Sequence, residues 1–144
     1  MPVKRPYNFD IPTNAVTVPL PQEWLKITYP ELKASVDITY RPIHNNLKEL
    51  FLEAEKLVLE HTIKADFISW RDFERPEAKV YGKMCEIGGN AASQVQFHVT
   101  DSSKHFLKGS LFFYAKPNYD SIYPAVEYIK KDMIRIMETL AWEN

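Results

Sequence analysis

Only one cysteine and four glycines occur among the 144 residues, and each scarcity closes off a class of protein. The lone thiol, Cys85, has no internal partner for a disulfide. Set beside Met84, it reads as a small buried side chain, and no histidine lies near it in sequence to activate it as a nucleophile. Gly88-Gly89-Asn90 is the one glycine-rich spot, and it lacks the lysine and spacing of a phosphate loop, so a turn accounts for it. No apolar run approaches the roughly 18 residues of a membrane-spanning helix, and the first residues, MPVKRPYNFDIP, lack the pattern of a signal peptide. Neither charge is in excess: 18 Lys and Arg stand against 19 Asp and Glu, for a net charge of −1. Without a basic stripe there is little counterion release to gain, and nucleic acid is not expected as a partner.

What is present suits one globular domain: 45% of residues are hydrophobic and 13% aromatic, enough for a sizeable core. Residues 1–22 carry five prolines (Pro2, Pro6, Pro12, Pro19 and Pro21). Each lacks an N–H and fixes φ, so this stretch reads as an extended arm running over the surface, with a single α+β domain from 23 to 144. Trp24 to Tyr29 reads as a strand, and Ala34, Val36, Ile38 and Tyr40 alternate with polar residues as in a strand with one buried face. Asn46 is a suitable cap, with Glu49 three residues on. Leu47, Leu50, Phe51, Ala54, Leu57, Val58 and His61 then recur at helical spacing. Four further strands are expected at about 65–74, 79–87, 94–101 and 105–115, with short links that imply antiparallel neighbours. A second helix is expected from Asp120 or Ser121 towards Trp142, its buried stripe running from Ile122 and Val126 to Leu140. The fold class is therefore α+β: an antiparallel sheet of about six strands with two long helices packed on it. In element order this is similar to the Mog1 and PsbP type of sandwich.

Chemistry, if any, is concentrated in the hairpin from Asp101 to His105, where Asp101, Ser102, Ser103, His98 and His105 supply the residue types of an acid, a nucleophile and a base. A three-residue loop pairing Asp101 with His105 sets Val99 against Leu107 and Phe97 against Gly109, a consistent apolar face; a two-residue loop sets Phe97 against Lys108. The first register places Asp101 beside His105, where the carboxylate can accept the imidazole N–H, and sends His98 to the opposite face. The pattern favours a structural lock, and there is no nucleophile elbow, so no catalytic residue is assigned. His44, His61, His98 and His105 lie on separate elements without the paired spacing of zinc ligands, so neither metal nor cofactor is expected. Phe112 and Tyr114 share a half-polar sheet face that either a helix covers or a small ligand occupies.

A second layer of information lies in particular strings: Asn90-Ala91-Ala92-Ser93, Gln96-Phe97, Thr100-Asp101-Ser102, His105-Phe106-Leu107 with Gly109, Asn45-Asn46-Leu47, His61 to Asp66, Val80-Tyr81-Gly82, and Lys116-Pro117-Asn118 with Asp120-Ser121. Together these resemble the gliding-motility lipoprotein D (GldD) family of Bacteroidetes over nearly the whole chain. The resemblance implies a periplasm-facing domain in the cell envelope, held to a membrane by an N-terminal lipid anchor that is absent from this chain. It also implies a non-enzymatic structural or docking role with other envelope proteins of a motility or secretion apparatus. Asn90, Ala91, Ala92, Ser93, Asp101 and His105 are the expected partner-binding positions, the small residues among them because they let another surface come close. The alternatives are a hydrolase acting on envelope material through Asp101, Ser102 or Ser103, and His105, or a small-ligand carrier.

Overall fold

Proline opens three of the turns, because its fixed φ and missing N–H suit the first position of a 3-10 turn. Pro21, Pro30 and Pro76 each head one such turn, which Trp24, Lys33 and Lys79 close by donating their N–H to that proline's carbonyl. Around these turns the computed structural model describes residues 5–61, 65–89, 93–114 and 119–143. In chain order the elements are β1 (Tyr7–Asn8), β2 (Val16–Pro19), β3 (Leu25–Tyr29), β4 (Ala34–Pro42), α1 (Leu47–His61), β5 (Ala65–Arg75), β6 (Val80–Gly89), β7 (Val95–Thr100), β8 (His105–Phe113), α2 (Tyr119–Thr139) and β9 (Ala141–Trp142).

Seven strands form one antiparallel sheet in the order β2-β3-β4-β8-β7-β6-β5, and β1 pairs with β9 separately. After β4 the chain crosses one face as α1 and enters the far edge as β5. It then meanders back through β6 and β7 until β8 lies beside β4. Side-chain alternation gives the sheet two different faces. One presents Val36, Ile38, Tyr40, Phe97, Val99, Leu107 and Leu111, and Val126, Ile129, Met133, Ile136 and Met137 of α2 cover it to make the main core. Each large side chain closed off there contributes roughly 2 kcal/mol against exposure. On the other face α1 lays Leu50 and Ala54 against Phe106 in a smaller cluster.

The α+β class and the antiparallel sheet with two long helices are as expected from the sequence, with differences at the ends. The seventh strand, β2, comes from the proline-rich segment, where Val16 to Pro19 pair with Thr28 to Leu25. That segment, expected to lie over the surface, also sends Tyr7 and Phe9 into the main core. Proline marks extended backbone, and an edge strand is extended backbone as much as an arm is. The second helix stops at Thr139, short of Trp142. Arg75 donates from Nη1 to the carbonyls of Met137 and Leu140 at 3.0 and 3.1 Å, satisfying acceptors that the helix end leaves open. Trp142 then returns as a strand opposite Tyr7. Asn46 precedes α1 as expected, but its Oδ1 accepts the N–H of His44 at 2.8 Å.

Candidate functional site

The hairpin between β7 and β8 has the three-residue-loop register: Phe97 faces Gly109, Val99 faces Leu107, and the Asp101 N–H reaches the His105 carbonyl. Its tip is organised by one carboxylate oxygen. Asp101 Oδ1 accepts the N–H groups of Ser103, Lys104 and His105 at 3.0, 2.8 and 2.9 Å, while Ser102 takes a positive φ of 75° and gives its N–H to Thr100 Oγ1. Partial burial alone would raise the Asp101 pKa. The three backbone donors and the neighbouring His105 outweigh that effect and hold it below the usual carboxylate value.

His105 turns inward. Its Nδ1 meets the Tyr40 hydroxyl at 2.6 Å and its ring stacks on Trp142 at 4.9 Å, with the residue 5% exposed. From there a chain of rings continues through Tyr40 to Tyr7 and Phe9. Trp142 and Trp24 give their indole N–H groups to the carbonyls of Lys79 and Tyr40, and Tyr7 gives its hydroxyl to that of Glu23. Burial, followed by the charges of Glu23 and Asp101, pushes the Tyr40 phenol up to about 12. This network joins the N-terminal strand, the sheet and the C-terminal strand.

The would-be triad is thus divided among other tasks. The imidazole donor expected to pair with the Asp101 carboxylate belongs to a ring packed against Tyr40 and Trp142, and the carboxylate gathers amides of its own loop. Ser103 donates its hydroxyl to Asp101 Oδ2 at 3.4 Å. His98 lies on the opposite face, as its parity requires, between Lys83 and Lys108 on the flanking strands. Of the expected partner-binding residues, Ser93 is fully buried, with its hydroxyl on the Val95 carbonyl, and His105 is interior. Asp101 is half-buried at the tip. Asn90, Ala91 and Ala92 lie outside the described residues. A partner at the hairpin tip would therefore meet the exposed Ser102, Ser103 and Lys104, with Ser93 at the far end of β7.

Replacing Asp101 by asparagine is expected to cost about 1 kcal/mol at pH 7, because a neutral amide oxygen receives the three N–H groups more weakly. The folded pKa lies below the unfolded one, so the carboxylate's contribution is complete above the unfolded value and is lost as pH falls through the folded one. Urea titrations should show the difference between wild type and Asp101→Asn closing as the pH falls below the usual carboxylate range. An equal gap at pH 7 and in strong acid would contradict this role.

A cleft of about 170 Å³ runs between α1 and the sheet, on the half-polar face of β8 that Phe106 and Lys108 share with Phe112. Trp24, Leu50, Ala54 and Phe106 give it apolar walls, and Thr39, Arg41, Glu53 and Lys108 a polar rim. Arg41 and Glu53 pair across it at 3.3 Å, and burial lowers the Lys108 pKa against the opposing pull of Glu53. Only the sheet order, which brings β4 beside β8 under the helix, assembles these residues. Among the described residues no three His, Cys, Asp or Glu side chains gather as metal ligands. Burial, aided by Glu86, pushes the Cys85 thiol up to about 11, which leaves it protonated and unreactive at neutral pH.

No match was found among curated proteins or solved structures. The family model described as gliding motility lipoprotein GldD matches residues 1–142, and among the strings it spans are the hairpin that Asp101 closes, the Gly109 that receives Phe97, and the Val80-Tyr81-Gly82 run of β6. The chain belongs to the gliding motility lipoprotein GldD family.

Proposed function

We propose that this chain is the periplasm-facing domain of an envelope lipoprotein and that it acts without catalysis, as a docking component of the gliding-motility machinery or an associated secretion apparatus. The family supports motility and lipoprotein character. The observation that favours docking over hydrolysis is the employment of the hairpin groups: Asp101 holds three backbone amides and His105 is packed between Tyr40 and Trp142. These bonds make the hairpin a rigid platform whose exposed tip, Ser102 to Lys104, is offered to a partner.

The test is crosslinking in cells that carry the lipid-anchored protein, followed by identification of the captured envelope proteins. Wild type is expected to recover the same partners repeatedly, and Ser103→Arg with Lys104→Glu to lose them while keeping its thermal unfolding midpoint. Retention of every partner by that folded variant would remove the tip from the interface. Fluorophosphonate is expected to label neither Ser102 nor Ser103, and labelling of either would favour a hydrolase. The cleft beside α1 supports a second reading, a small-ligand carrier, which would raise the unfolding midpoint when its ligand is added.

A further inference from the structure

The outer side of β5 is unusual for an edge strand. Natural sheets blunt their edges with short strands, proline, charges or bulges, because a free row of N–H and C=O groups templates pairing with another chain. The opposite edge follows that rule: β2 has four residues and ends in Pro19. β5 has 11 residues, and among the described residues it pairs only with β6. From Phe67 to Trp70 it is apolar or neutral and open, with Phe67, Ile68 and Trp70 at 50%, 42% and 45% exposure; of its five charges, Arg71, Asp72, Glu74 and Arg75 lie in the second half and Asp66 stands at its start. A bulge between Ala65 and Phe67 ends the regular stretch.

We propose that β5 is a self-association edge, on which a second copy of this chain pairs its own β5 antiparallel about a two-fold axis at Ser69. A two-fold axis normal to a sheet preserves its faces, so paired positions have equal parity and only a few registers are available. Centring on Arg71 sets two guanidinium groups together. Centring on Trp70 puts Ile68 against the second copy's Asp72. Centring on Ser69 puts Ile68 against Trp70 on one face and Phe67 against Arg71 on the other, in both directions. The pairs are then apolar on apolar and a guanidinium over a ring, with no like charges between positions 67 and 71; the next pair out, Asp66 with Asp72, is like-charged and falls at the bulge, which limits the pairing to those five positions. The arrangement closes, because the remaining edges of the joined sheet are the blunted β2 strands.

The overlap is short, below the ~1,000 Å² that a stable interface buries, so association is weak in dilute solution. A lipid anchor of the kind its family carries would confine two copies to one surface and raise their effective concentration. This pairing is independent of the docking reading and uses a different part of the molecule.

The experiment is a thiol-crosslinking test on the whole chain. Cys85 is buried, so an engineered surface thiol is the one that reacts. Ser69→Cys is expected to form a disulfide-linked dimer under mild oxidation at least ~10-fold faster than Ser103→Cys, an exposed control on the hairpin tip. Adding Trp70→Glu should remove that advantage; because Trp70 is half-exposed, the fold should persist, and Ile68→Lys serves if it does not. Sedimentation of the unmodified chain should show reversible dimer growing from about 10 μM to about 1 mM. A monomer across that range, or equal linking at Ser69→Cys and Ser103→Cys, overturns the proposal.

Discussion

Gly82→Ala is expected to destabilise the protein by roughly 3 kcal/mol or more, the largest effect of any single-methyl addition in the sheet. Gly82 lies in β6 between Phe73 of β5 and Val99 of β7. A Cβ built there would stand 1.9 Å from the His98 carbonyl oxygen and 2.9 Å from the Val99 Cα. Both obstacles are backbone atoms of an inner strand, so no rotamer change relieves them. β6 and β7 would have to separate and weaken the ladder that carries the hairpin. Gly109 makes an instructive comparison, because the atoms in its way belong to the Phe97 ring, the nearest at 2.3 Å. Gly109→Ala should therefore also be costly but partly rescued by Phe97→Leu, whereas Gly82→Ala should resist rescue by any side-chain truncation. Urea denaturation of the singles and the double decides it. A Gly82→Ala protein within ~0.5 kcal/mol of wild type would show that the strands do not approach so closely.

That contrast bears on how much the sequence disclosed. The β7–β8 register was legible because loop length and apolar alternation left one consistent choice, the same choice that lays Phe97 over Gly109. The parity that separates His98 from His105 followed from it. Both helices were legible from periodicity, except where tertiary contacts decided an end, as Arg75 does for α2. The closure of β1 on β9 was not legible: two-residue strands have no period, and Tyr7 meets Trp142 from the other end of the chain. Tyr40 as the partner of His105 is likewise a product of sheet order, 65 residues away in sequence. β5 shows the deepest limit. Its residues read correctly as a strand, but only the topology reveals that Phe67, Ile68 and Trp70 lie on an edge with nothing described beyond them.

Acid should act first on the α1 side of the sheet, through His98. Its ring packs against Phe106 and Phe51, and its flanking cross-strand neighbours are Lys83 and Lys108. Burial above all, then those two ammonium groups, pushes its pKa down to about 4. In the unfolded chain the same histidine titrates near 6.5. Above that value neither state carries the proton and His98 adds no pH dependence. Between about 6.5 and about 4 the unfolded chain binds a proton that the folded one excludes, so stability falls as pH falls, by about 3 kcal/mol over the window. Below it the folded protein is protonated too, and His98 adds no further pH dependence. His98→Phe keeps an apolar ring against Phe51 and Phe106 and removes the titration, so urea midpoints measured at pH 7, 5.5 and 4.5 should fall less steeply in the variant. Identical slopes would refute the assignment. Charging His98 would place three cations in a row across β6, β7 and β8 beneath α1, with Glu53 of the helix and Asp72 of β5 the nearby carboxylates to offset them. The main core, filled by α2 on the opposite face, contains no such row. Hydrogen exchange at pH 4.5 is therefore expected to open α1 before α2, whereas simultaneous opening would mean that the two faces of this sheet unfold as one unit.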